Sequence, residues 1–171
     1  MASSLILIGF MGSGKTAVGE RLSRELNRDF FDADLVVEQR MGISISEAFA
    51  TLGESGFRQA EERVVLELLD RAASEPGGAV ISLGGGAVII HEVFERLRQE
   101  PMVVFLDEDV ETAFKRAQNG RRPLAADPGR FRELFKEREN LYRGLAKFTV
   151  DTRGKAVNQV AAEVMKMVGK E

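Results

Sequence analysis

The chain has 171 residues, of which 30% are charged and 44% hydrophobic, and its formal net charge is −3. That is the size and balance of one globular domain with a buried core, and the missing basic surplus argues against a general nucleic-acid binder. There is no cysteine, which excludes disulfides, thiolate metal sites and a cysteine nucleophile and fits a reducing, cytoplasmic setting, the location expected here.

Short apolar runs alternate with helical patterns along the chain. The first run, Leu5 to Ile8, is too short to span a membrane, follows no basic region and enters a glycine loop at once, so it reads as a strand rather than a signal peptide. Strands are predicted over residues 5–8, 30–32, 79–83, 103–106 and 148–150. Helices are predicted over 15–26, 35–41, 46–51, 56–73, 91–99, 110–118, 130–142 and 156–168. The helix after Gly56 is the clearest, with Phe57, Ala60, Val64, Val65, Leu68 and Leu69 recurring on one face. Val164, Met165, Met167 and Val168 read as the packed face of the last helix. No repeat, low-complexity tract or linker divides the chain, so residues 1–171 form one α/β domain. Its sheet is mostly parallel and covered on both faces. Ligands of such sheets bind beyond the carboxyl ends of the strands, where each motif below falls.

Gly9-Phe10-Met11-Gly12-Ser13-Gly14-Lys15-Thr16 fits G-x-x-x-x-G-K-[ST] in full, after an apolar strand and before a helix. The glycines let the backbone wrap phosphate oxygens, and the N–H groups and helix N-terminus supply positive potential. Lys15 places a cation on the β- and γ-phosphates, and the Thr16 hydroxyl can ligate Mg²⁺. No N-K-x-D guanine motif is present, and the third strand ends in Ser82-Leu83-Gly84 rather than an acid. A small-molecule kinase is favoured over a GTPase or a motor ATPase.

Asp32-Ala33-Asp34 follows Phe30-Phe31. On an extended strand both carboxylates would point the same way, where they could hold Mg²⁺-bound water and accept a hydroxyl proton; the alternative is a turn or helix cap. Arg58 precedes Glu61 and Glu62 by one turn. It is either a surface ion pair or a guanidinium oriented by a glutamate to grip a substrate carboxylate. Gly84-Gly85-Gly86 is a tight turn or a place where a ligand nears the backbone. The stretch from Glu111 to Arg143 has nine basic and five acidic residues and contains Arg121-Arg122-Pro123, Pro128 and Gly129. That suits a basic lid over a triphosphate, or a solvated loop. His91, the only histidine, reads as a surface or capping residue.

In this order, G-F-M-G-S-G-K-T, D-A-D, G-E-S-G-F-R-Q-A-E, G-G-G, R-R-P-L and L-Y-R closely resemble the shikimate kinase family over nearly the whole chain. The resemblance implies a three-layer P-loop kinase fold with a five-stranded parallel sheet of order 2-3-1-4-5. It implies a substrate-binding region over about 33–61, a mobile lid over about 112–129, and transfer of the γ-phosphoryl of ATP to the 3-hydroxyl of shikimate. By that likeness Asp34, Arg58, Gly84, Gly85, Gly86 and Arg143 bind shikimate. Gly12, Ser13, Gly14, Lys15, Thr16, Ala17, Arg116, Arg122 and Arg153 bind ATP. Lys15, Asp34 and Arg122 are catalytic, and Thr16 and Asp32, the latter through water, serve Mg²⁺. Shikimate and ATP are the expected partners, with no nucleic acid or membrane, and a monomer is expected. The runner-up is gluconate kinase, which should not combine D-x-D with F-R-x-x-E. A non-catalytic nucleotide-binding regulator would be favoured by loss of Lys15, Asp34 or a lid arginine, and all are present.

Overall fold

Neighbouring residues of the first strand, β1 (Leu5–Ile8), belong to different cores. Leu5 and Leu7 face one apolar cluster, and Ile6 and Ile8 face the other. All four are essentially inaccessible to water. Alternating side chains that are apolar on both faces define a central strand of a parallel sheet. The computed structural model describes residues 3–119 and 123–169.

After β1 come α1 (Lys15–Leu26), β2 (Phe30–Asp32), α2 (Ala33–Met41), α3 (Ile45–Ser74) and β3 (Val80–Ser82). A short 3-10 turn (Ala87–Ile89) leads to α4 (His91–Gln99), β4 (Val103–Asp107) and α5 (Val110–Asn119). A second 3-10 turn (Pro123–Ala125) precedes α6 (Pro128–Leu145), β5 (Phe148–Asp151) and α7 (Val157–Val168). The strands order as β2-β3-β1-β4-β5, and every neighbouring pair is parallel. This is the three-layer arrangement expected. One core cluster holds Leu22 of α1 and Val164 of α7 against Leu5, Val104 and Val150. The other holds Val65 of α3, Leu97 of α4 and Phe131 of α6 against Ile6, Ile81 and Phe105. Among the described residues no helix is long and apolar enough to cross a membrane.

Local chemistry sets the element ends. Asp32 caps α2 by accepting from the Leu35 N–H, so the chain leaves the strand there. Asp34 therefore stands in the first turn of a helix, which corrects the picture of both aspartates on one extended strand. The predicted helices 46–51 and 56–73 are the two arms of α3, divided at Gly53, whose backbone (φ 69°, ψ 176°) is not helical. The first arm begins at Ile45 because Ser44 and Glu47 form a reciprocal capping box, with the Ser44 N–H bonding Glu47 at 2.7 Å.

Candidate active site

The phosphate loop is built around backbone that only glycine adopts easily. Gly12 (φ 83°) and Gly14 (φ 91°) are left-handed, and a Cβ on Gly12 would lie 2.1 Å from the Ala113 carbonyl. Phe10 anchors the loop from below. Its ring meets Phe131 and Phe135 of α6 edge-on, with centroids 4.8 and 5.2 Å away. The buried Lys15 ammonium donates to the Gly9 and Phe10 carbonyls at 2.8 and 3.0 Å.

Two cavities flank this loop. One, of about 230 Å³, is lined by Gly12, Gly14, Lys15, Thr16, Ala17 and Arg116. The other, of about 570 Å³, contains Arg58, Glu61, Arg138 and the Gly84–Gly86 backbone. Thr16, Asp32 and Asp34 line both. At this junction the Thr16 hydroxyl donates to Asp32 at 2.6 Å. Asp32 is thus both helix cap and partner of Thr16, so the two readings of it coexist. Spending its proton on Asp32 leaves the Thr16 oxygen lone pairs for a cation.

Arg58 is not a surface ion pair. Its side chain is 13% exposed, bonds Glu61, and lies 5.2 Å from the Phe57 ring centroid and 5.9 Å from that of Phe49. Glu61 is buried, and burial pushes its carboxyl up while Arg58 pulls it back down. The buried Arg58 Nε–H has no acceptor among the described residues. A buried donor without a partner costs free energy unless a ligand supplies an oxygen.

The three glycines serve close approach, though by protein groups first. A Cβ on Gly84 would lie 2.5 Å from both Asp34 and Glu61 carboxylate oxygens, and one on Gly86 would lie 2.2 Å from the Arg58 guanidinium. At Gly85 it would lie 2.9 Å from the Met11 amide nitrogen, which is backbone and cannot swing away. Gly85→Ala should therefore cost about 1–3 kcal/mol by displacing the phosphate loop, measured as a lowered urea midpoint with an unchanged slope. An unshifted midpoint would contradict this packing.

The second guanidinium of the larger cavity is Arg138, which corrects the expectation of Arg143. Five positions further along α6 is a rotation of about 140° from Arg138, onto another face. Arg143 lines neither cavity. Its side chain is 47% exposed and bonds Asp107 and Glu139, each at 2.9 Å. Arg138 is buried, its cation disfavoured first by desolvation and also by nearby Arg58. One turn on, burial pushes the Tyr142 phenol up, so its hydroxyl stays protonated and donates to the Gly85 carbonyl. Tyr142 shares the buried face of α6 with Phe131, Leu134 and Leu145, and Arg138, one turn before it on that face, lines the cavity.

Of the other expected residues, Arg116 bonds Glu108 at 2.9 Å and approaches the Gly12 carbonyl at 3.5 Å. Arg153 lines neither cavity, and its guanidinium grips Asp151 at 2.8 and 2.7 Å. Arg122 lies outside the described residues, as does part of the expected lid. Leu124, from the end of that lid, lines the larger cavity. Sequence reasoning missed Arg138, although its signal was present. Phe131, Leu134, Arg138, Tyr142 and Leu145 are the buried stripe of α6, and an arginine in an apolar stripe needs a partner inside.

The family model described as shikimate kinase matches residues 11–169. A shikimate kinase from Symbiobacterium thermophilum is 39% identical, over 95% of this chain and 94% of that one. The structure of a shikimate kinase from Acinetobacter baumannii, in complex with shikimate, superposes with a TM-score of 0.92 at 33% identity, covering 99% of this chain and 94% of that one. A gluconokinase from Sinorhizobium meliloti 1021 shares the fold alone, with a TM-score of 0.60 at 16% identity over 98% of this chain and 92% of that one. A family model that spans nearly the whole chain, and a relative 39% identical over 95% of it, settle what the two joined cavities suggest: the chain belongs to the shikimate kinase family.

Proposed function

We propose that this chain transfers the γ-phosphoryl group of ATP to the 3-hydroxyl of shikimate, with shikimate in the larger cavity and the triphosphate in the smaller. The observation that carries this reading is the junction. Asp34, Asp32 and Thr16 line both cavities, so an acceptor hydroxyl and a γ-phosphate would meet between them. The new bond joins the substrate oxygen to phosphorus, the bond to the β-phosphate oxygen breaks, and the hydroxyl proton passes toward Asp34.

Arg58 and Arg138 suit the carboxylate of shikimate. Two buried guanidiniums that repel one another are relieved by an anion between them, and each offers parallel donors. Phe49 and Phe57 supply an apolar wall for the ring. Hard oxygens at Thr16 and Asp32 fit Mg²⁺, which takes few protein ligands beside substrate phosphates. Thr16, and Asp32 through water, would hold that ion, which would supply positive charge against the phosphates. Lys15 and Arg122 would hold the transferring group. Gly12, Ser13, Gly14 and Ala17 would cradle the phosphates, and Arg116 and the Arg153 loop would flank the adenine. The chain would act as a monomer.

The test exchanges guanidinium for ammonium. Arg58→Lys and Arg138→Lys should each weaken shikimate binding by roughly 1.5–3 kcal/mol, about ten- to a hundredfold, with ATP affinity nearly unchanged. Shikimate methyl ester should bind the wild type weakly and lose much less on mutation than the acid does. Equal losses for acid and ester, by calorimetry, would mean that these arginines do not read a carboxylate.

A further inference from the structure

Outside the reacting groups, the described residues hold another buried carboxylate that no step above uses. Glu108 follows β4, and its side chain is 1% exposed. One oxygen accepts the Arg116 guanidinium at 2.9 Å and the Thr152 hydroxyl at 3.1 Å. The other accepts the Asp109 N–H at 3.0 Å. Thr152 is itself buried, its N–H donates to the Asp107 carbonyl at 3.0 Å, and its one hydroxyl proton is shared between Glu108 and that carbonyl, 3.2 Å away.

These contacts have a direction. The fixed part is Glu108 with Thr152, both packed beneath the carboxyl ends of β4 and β5. The part that would otherwise wander is Arg116, whose side chain is 48% exposed. Its Nη1 also lies 3.5 Å from the Gly12 carbonyl, and Arg116 lines the smaller cavity beside Gly14 and Lys15. An exposed arginine loses much side-chain entropy when ordered, and a rigid partner removes that cost before a ligand arrives. A carboxylate with four possible acceptor directions can fix a guanidinium, whereas a hydrophobic residue at 108 would leave it free.

We propose that Glu108 is a positioning residue for nucleotide binding. It holds the Arg116 guanidinium over the phosphate loop, and it ties that arginine to Thr152 in the loop after β5. The proposal rests on the reading that Arg116 faces the nucleotide. Glu108 touches no reactant, so its effect belongs on ATP affinity rather than on chemistry.

The experiment is a double-mutant cycle read by calorimetric binding of MgADP. Glu108→Gln keeps the shape and the hydrogen bond from Thr152 but removes the charge that holds Arg116. It should weaken MgADP about five- to tenfold and raise KM for ATP similarly, with kcat and KM for shikimate close to wild type. Arg116→Ala should weaken MgADP by about as much or more, and adding Glu108→Gln to it should change little further. Thr152→Val should act in the same direction, less strongly, and covers the case in which Glu108→Gln lowers stability. If Arg116→Ala leaves MgADP affinity unchanged, both the nucleotide-facing reading and the proposal are overturned. If Arg116→Ala weakens binding while Glu108→Gln and Thr152→Val do not, the reading stands and the positioning role is overturned. Equal losses from Glu108→Gln in both backgrounds would mean that it acts through general structure, which also overturns the proposal.

Discussion

Lys15→Met is expected to fold and to lose at least about a hundredfold in kcat. The Lys15 stem is buried beside the phosphate loop, and Met supplies similar apolar volume there. What disappears is the ammonium, which bonds the Gly9 and Phe10 carbonyls. Losing those bonds should cost about 1–3 kcal/mol of stability, within the reserve of a domain this size. The catalytic loss is larger because charge on the transferring phosphoryl must be met by a fixed cation in a partly dry site. Circular dichroism would establish folding, and steady-state turnover at saturating ATP would give kcat. A folded variant with near-normal turnover contradicts the role given to Lys15.

Asp34→Asn should also lose about a hundredfold or more in kcat, with a smaller change in ATP affinity. Asp34 stands in the first turn of α2 and faces Gly84 closely enough that a Cβ there would meet its carboxylate at 2.5 Å. Asparagine preserves the shape but cannot take up a proton. In a loose transition state proton removal comes late, so part of the loss is positional: the amide can turn a donor toward the attacking hydroxyl. Retention of most activity by this variant rules out an essential carboxylate.

The parts of the fold governed by local chemistry were legible in the sequence. The apolar runs of β1 and β4 and the glycine loop between β1 and α1 required little tertiary context. The break at Gly53 was visible because Gly-Glu-Ser-Gly interrupts the helical pattern. The capping box at Ser44 and Glu47 was missed although its spacing is plain in Ser44-Ile45-Ser46-Glu47. The site was legible where a motif is contiguous, as in the loop containing Lys15 and Thr16. It was misread along α6, where Arg138 and Arg143 are both arginines of one basic helix. Arg138 alone belongs to the buried stripe of α6, and the tie of that stripe to the cavity, the bond from Tyr142 to Gly85, joins residues distant in sequence. The link from Glu108 to Arg116 and Thr152 was hidden for the same reason. It closes only when β4, α5 and the loop after β5 are in place.

The central claim is that the larger cavity selects shikimate as phosphoryl acceptor, and acceptor-dependent ADP release tests it most directly. The purified chain, with MgATP, would be offered shikimate, gluconate, nucleoside monophosphates or no acceptor in parallel, and phosphorus NMR would locate the transferred group. The account predicts ADP release with shikimate at least about a hundredfold above every other arm: gluconate also offers a carboxylate to Arg58 and Arg138, but on a flexible open chain that does not hold a hydroxyl at Asp34 once that carboxylate is paired, and a nucleoside monophosphate offers its anion on a much larger body. It also predicts a phosphate ester on the 3-oxygen. Equal or faster turnover with gluconate or a nucleoside monophosphate, or ADP release that no acceptor stimulates, would contradict it.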